Sequence, residues 1–215
     1  MFFSKEVNAM EEVDTEKYVK NEAGYKILKC LLYPVAIPYK PTIYGKENIP
    51  AEGGVIIASN HRKADDPAFA VMATKRVIHW LAKKELHESK FKWFFEAAGT
   101  IPVNRGVHHT GVMEVAEAML EQGYVIGIYP EGTRNKTEDP IQPLKYGAVR
   151  LAQKTGAWIV PLSIAGINGA FKSNVRTCIG EPYKIAADAD LDQENEILRK
   201  KLARLYLEAE EKTKE

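Results

Sequence analysis

The chain's 215 residues are enough for one α/β domain with a small appendage and a large buried core. Lys+Arg 30 against Asp+Glu 29 leaves a formal charge of +1, which removes any bulk electrostatic case for nucleic acid; anion binding has to come from local placement. Two cysteines, Cys30 and Cys178, stand far apart without metal-ligand spacing, which excludes a disulfide framework and points to a reducing compartment.

No secretory signal is expected at the start, because Met1-Phe2-Phe3 runs into Ser4-Lys5-Glu6 and a polar, acidic stretch. Nor does any segment reach the ~20 apolar residues that span a bilayer. A helix is predicted from about Thr15. From Tyr25 the apolar residues Ile27, Leu28, Leu31, Leu32 and Val35 fall at helical spacing beside Lys26 and Lys29, with Pro34 and Pro38 expected to break the run. A segment of this kind suits either an anionic membrane surface or the flank of its own domain.

Thr42-Ile43-Tyr44 reads as a first strand, and Pro50-Ala51-Glu52-Gly53-Gly54 as the turn into a second, Val55 to Ser59. That β-branched run leads into Asn60-His61-Arg62-Lys63-Ala64-Asp65-Asp66-Pro67. A helix is predicted from Pro67 to about Thr74 and a strand from Val77 to Ala82. A helical block with Phe91, Trp93, Phe94 and Phe95 follows, then the strand Thr100-Ile101-Pro102-Val103 and the loop Asn104-Arg105-Gly106. Thr110 to Gln122 carries Val112, Val115, Ala116, Met119 and Leu120 at helical spacing and stops at Gly123. The strand Val125 to Tyr129 runs into Pro130-Glu131-Gly132-Thr133-Arg134. A helix from about Lys145 to Thr155, the strand Trp158 to Ile164, a strand pair at Val175 to Ile179 and Tyr183 to Ile185, and a charged helix from about Asp192 complete the chain. This alternation predicts an α/β fold, a mixed and largely parallel sheet flanked by helices, over residues 41–215; residues 1–40 form an N-terminal amphipathic helical segment.

The strand ends carry the chemistry. His61 sits on a strand-to-helix turn, and Asp66 lies near enough in sequence to accept its second N–H and fix the tautomer, which makes an oriented general base. Taken singly, a histidine at a strand end is more often a surface or core residue than a catalyst, and Asp66 reads as the N-cap of the next helix. Arg105 and Arg134 each stand beside a glycine at a strand end, where loops of an α/β sheet gather, and two guanidinium groups there would clamp a phosphate. Lys145, at the start of a helix, would add a third positive group. A surface ion pair is the plainer explanation of each arginine taken alone, and Glu131 then becomes an arginine partner.

The combination decides. Asn-His-x4-Asp, Gly-Thr-Ile-Pro-Val-Asn-Arg, Pro-Glu-Gly-Thr-Arg and Val-Pro-Leu-Ser-Ile occur in that order and at domain-scale spacing. Over about residues 41 to 182 this set resembles the glycerolipid acyltransferase family, in particular the 1-acyl-sn-glycerol-3-phosphate acyltransferases. The resemblance implies that His61 is the catalytic base and Asp66 its orienting partner. It assigns Arg105, Glu131, Gly132, Thr133 and Arg134, with Lys145 nearby, to the acceptor phosphate, and Val160-Pro161 to the acyl-donor or hydrophobic side. Lys63 stands where similar proteins often have serine, and Asn104 where they often have aspartate; neither removes a group that the chemistry requires.

The implied reaction is acyl transfer from acyl-CoA or acyl-carrier protein, as co-substrate, to the sn-2 hydroxyl of lysophosphatidic acid, giving phosphatidic acid, with no cofactor and no metal. With neither cysteine in a motif, no acyl-enzyme is expected. The N-terminal segment and the lysine-edged Phe91 to Phe95 cluster would dock the protein on the cytoplasmic face of the cell membrane, as a peripheral or monotopic protein. Alternatives are an acyltransferase for glycerol-3-phosphate or another lysophospholipid and a non-catalytic lipid-binding protein. A metal hydrolase built on His61, Asp65, Asp66 and His108-His109 lacks a metal-binding spacing.

Overall fold

The structure, a computed structural model, describes residues 15–19, 22–103, 110–169, 171 and 173–215. In chain order the elements are α1 Glu16–Val19, α2 Glu22–Ala36, β1 Thr42–Tyr44, β2 Val55–Ser59, α3 Asp66–Ala70, β3 Ile78–Lys83, α4 Lys84–His87, α5 Lys92–Ala97, β4 Ile101–Val103, α6 Thr110–Glu121, β5 Val125–Ile128, α7 Gly147–Thr155, β6 Trp158–Ala165, β7 Arg176–Ile179 and α8 Leu191–Lys212.

The strands form one sheet in the order β1-β7-β6-β2-β5-β3-β4. β6, β2, β5, β3 and β4 run parallel; β7 is antiparallel to β6, and β1 runs parallel to β7. The sheet is therefore mixed and largely parallel, as the alternation of elements predicts. β2 lies at its centre, and all five of its residues are buried. A strand covered on both faces needs apolar side chains at every position, which is why Val55-Ile56-Ile57-Ala58 reads as a continuous run.

Alternate residues of β2 feed two cores. Ile56 and Ala58 join Met119 of α6, Leu151 of α7 and Leu198 and Leu202 of α8 on one face. Val55 and Ile57 join Phe69 of α3, Trp80 of β3 and Tyr25 and Ala36 of α2 on the other. One side of α2 thus belongs to the domain, and Lys29 fastens it by donating to the Thr74 carbonyl. Burial, with Lys46 nearby, lowers the Lys29 ammonium below its ordinary value.

Three local expectations need correction. Pro34 lies inside α2, which runs on to Ala36 before a 3-10 turn at Ile37–Tyr39; tertiary burial of Tyr25 and Ala36 holds the helix through the proline. α7 starts at Gly147, so Lys145 belongs to the preceding loop. Tyr183 makes a single bridge to Ile159, so no strand forms at 183–185.

Gly127 of β5 has a packing role. A Cβ there would fall 2.5 Å from two atoms of the Trp80 ring, closer than carbon atoms approach. Gly127→Ala is expected to destabilise the fold by about 1–3 kcal/mol, read as a shift in the urea midpoint at unchanged slope.

Candidate active site

His61 lies two residues beyond the end of the central strand, and its backbone is fixed before its side chain acts. The buried Asn60 amide donates to the Ile164 carbonyl (3.0 Å) and accepts from the Ile164 N–H (2.8 Å), so it extends the β2–β6 ladder by one side chain. The His61 N–H donates to Glu131 Oε1 at 3.0 Å, and its carbonyl accepts from the Asn135 N–H at 2.6 Å. Both backbone groups of His61 are thus tied to the loop that follows β5.

The imidazole Nδ1–H donates to Asp66 Oδ2 at 2.9 Å. A carboxylate accepts only, so this bond sets the tautomer and leaves Nε2 as the proton acceptor. Asp66 Oδ2 also accepts from the N–H groups of Arg62 (2.7 Å) and Lys63 (2.8 Å), which closes the 61–66 turn around the carboxylate. Asp66 is the first residue of α3, and Asp65 in the cap position makes no side-chain cap bond. The Asp66 carboxylate therefore serves the histidine turn rather than the helix end. His61 keeps 19% of its side chain exposed against 1% for Asp66, which gives a buried anchor beneath a reachable base.

A ring wall backs the imidazole. Tyr129 stacks on His61 with centroids 4.1 Å apart and planes 19° from parallel. Trp80 stacks on Tyr129 at 4.5 Å and 13°. Arg62 braces the opposite loop, donating to the carbonyls of Thr137 and Asp139 while its guanidinium lies 4.5 Å over the Tyr206 ring of α8.

The Pro130 to Arg134 stretch divides by burial. Glu131 is buried, with Oε1 on the His61 N–H and Oε2 on the Gln142 N–H at 2.9 Å. Burial pushes its carboxyl above the ordinary value, and those two amides, with Arg62 and His61, pull it partly back. Gly132 adopts φ +70 and leaves room for the Lys145 side chain, whose Nζ lies 2.9 Å from where a Cβ would be. Lys145 is held there by its N–H on the Pro130 carbonyl at 2.8 Å. Thr133, Arg134 and Lys145 are exposed at the same turn. Glu131 thus holds loops together, while Arg134 and Lys145 are exposed cations of the same turn. Val160 is fully buried in the core and Pro161 pairs opposite Ala58, so this pair packs against the histidine strand.

Asn104, Arg105 and the pair His108-His109 lie outside the described residues. Among the described residues no group of three or more His, Cys, Asp or Glu is placed to hold a metal ion. Asn60, Arg62, Trp80 and Tyr129 were not singled out from sequence. For Asn60 the signal was present, since a polar side chain ending a fully buried strand has to be hydrogen-bonded. The ring wall depends on pairing between β3 and β5, which no local pattern encodes.

A family model described as Acyltransferase matches residues 40–165. The 1-acyl-sn-glycerol-3-phosphate acyltransferase of Bacillus subtilis (strain 168) is 35% identical over 155 residues, which cover 69% of this chain and 76% of that protein. The protein of the same name from Borreliella burgdorferi is 35% identical over 139 residues, covering 63% of this chain and 55% of that one. Among solved structures, the 1-acyl-sn-glycerophosphate (LPA) acyltransferase PlsC from Thermotoga maritima matches with a TM-score of 0.70 over 93% of this chain and 83% of that chain. At 20% identity that last likeness speaks for the fold.

Proposed function

We propose, from the premise that the chain belongs to the acyltransferase family, that it moves an acyl group from a thioester onto the sn-2 hydroxyl of 1-acyl-sn-glycerol-3-phosphate. The observation that carries this is the 2.9 Å bond between His61 Nδ1 and the buried Asp66, with two exposed cations one loop away. His61 Nε2 takes the proton of the acceptor hydroxyl as its oxygen attacks the thioester carbonyl, and Asp66 stabilises the imidazolium. Collapse of the tetrahedral intermediate expels the thiolate, which recovers the proton from His61. The donor is acyl-CoA or acyl-carrier protein.

The acceptor phosphate is bound by Arg134 and Lys145, with Arg105 as a further cation by the family resemblance. Charge-assisted bonds of this kind contribute about 1.5–3 kcal/mol each, so Arg134→Ala and Lys145→Ala should each raise the acceptor KM about 10–100-fold. Loss confined to kcat in both variants would move the phosphate elsewhere.

Both substrates carry acyl chains, and the enzyme works at the cytoplasmic face of the cell membrane as a peripheral protein. Support comes from α2, whose inner side is packed on the domain while Ile27, Leu31 and Val35 form an exposed stripe at i, i+4 and i+8. Phe91, Trp93 and Phe171 are also exposed. No helix among the described residues is long and apolar enough to cross a membrane.

The test is thiol release from palmitoyl-CoA, and separately from palmitoyl-carrier protein, with and without lysophosphatidate in liposomes. Acceptor-dependent release with phosphatidate as product is expected. Release that responds to glycerol-3-phosphate or a diester lysolipid instead would reassign the acceptor. Silence with both donors across all acceptors would favour a lipid-binding protein without turnover.

A further inference from the structure

The wall behind His61 does more than fill space. Trp80 and His61 lie nearly parallel to Tyr129 at 4.5 and 4.1 Å, and two rings that close cannot share one face. Tyr129 is therefore sandwiched, with the imidazole on one face and the indole on the other. Gly127 is the condition for this arrangement, since any Cβ there would strike the indole.

The Asp66 bond fixes where Nδ1 points, but one hydrogen bond leaves the ring able to turn about the Nδ1–Oδ2 line. The Tyr129 face removes that freedom and so fixes the direction of Nε2. It also places a negative ring face within cation–π distance of the imidazole. The attraction is weak while the imidazole is neutral and strengthens when it takes the proton, so it favours the charge-bearing state over the ground state.

We infer that Tyr129, backed by Trp80, is a positioning residue for His61 whose ring face stabilises the imidazolium formed during acyl transfer. This rests on the reading of His61 as the base. The Tyr129 hydroxyl is not needed for it: the group is buried and has no hydrogen-bond partner among the described residues. Burial, with Asp66 nearby, holds that phenol well above its ordinary value, so the ring stays neutral. Among the described residues the titratable groups in contact with His61 are Asp66 on α3, Glu131 on the loop after β5, and Tyr129 itself.

The test replaces Tyr129 with Phe, with Leu, and with phenylalanines carrying increasing numbers of ring fluorines, which keep the stack while draining the ring face of charge. Tyr129→Phe keeps the ring and removes only the hydroxyl, so it is the reference for the fluorine series. Tyr129→Leu should lower kcat about 10-fold or more at unchanged acceptor KM, and log kcat should fall steadily with fluorine number. A leucine variant with wild-type kcat, or a fluorine series with no slope, would overturn the inference. A second readout needs no turnover. In NMR of the His61 ring, the imidazole should hold its proton less tightly with each added fluorine, and an unchanged titration across the series overturns the ring-face effect. If the wild-type protein transfers no acyl group to any acceptor, the functional reading falls, while the NMR series still decides whether Tyr129 stabilises a charged His61.

Discussion

Asp66→Asn is expected to lower kcat by about 10³–10⁴-fold and to leave the fold in place. The two consequences separate because Asp66 does two things with one oxygen. Its Oδ2 accepts from the N–H groups of Arg62 and Lys63, which shape the turn, and from His61 Nδ1, which orients the base. An asparagine carbonyl still accepts from the two backbone groups, so urea unfolding should move little. What it cannot supply is the negative charge that stabilises the imidazolium. His61→Ala should fall to a similar floor, and the double variant should be no slower than the worse single one, because residues acting as a unit do not add. Thiol release at saturating acceptor, measured beside urea midpoints, checks all of this. An Asp66→Asn variant within tenfold of wild type would remove Asp66 from the base and reduce it to a turn residue.

The sequence exposes this pair because its chemistry is local: five residues apart, at the end of a β-branched run, with a proline to start the next helix. The same holds for the sheet, whose buried strands read as continuous apolar stretches, and for α6, whose stripe is uninterrupted. What stayed hidden depends on contacts between distant segments. Nothing near Asn60 indicates that its amide will close on Ile164, more than a hundred residues on. Pro34 reads as a helix breaker until burial of Tyr25 and Ala36 holds α2 together across it. Nothing in the sequence around Arg62 places its guanidinium over Tyr206 of the last helix. The order β1-β7-β6-β2 with one antiparallel step also escapes local pattern, because a β-branched run does not encode its neighbours.

Glu131 is the residue whose expected effect departs furthest from its assignment to the acceptor phosphate. A carboxylate does not bind a phosphate dianion, and this one is spent on the His61 and Gln142 N–H groups at 3.0 and 2.9 Å. Glu131→Gln turns an N–H toward one of those donors and orphans it, at a cost of about 1–3 kcal/mol in stability. The His61 backbone loses its anchor in the same step. The expected signature is therefore a fall in kcat of about 10²-fold with the acceptor KM little changed, as a small displacement of a base produces. Arg134→Ala, by contrast, should act on KM. A raised KM with kept kcat in the Glu131 variant would return that residue to the acceptor. The pH dependence gives an independent check with a definite sign. Burial raises the Glu131 carboxyl above its ordinary 4.5, so the folded chain binds that proton more tightly than the unfolded chain. The stability this contributes is complete below pH 4.5 and is lost as the pH rises through the folded value. Glutamine lacks that slope. The unfolding free energy of wild type minus that of Glu131→Gln should therefore decrease as the pH rises just above 4.5. An increase over that window would mean that the two backbone N–H groups outweigh burial and hold the carboxyl below its ordinary value.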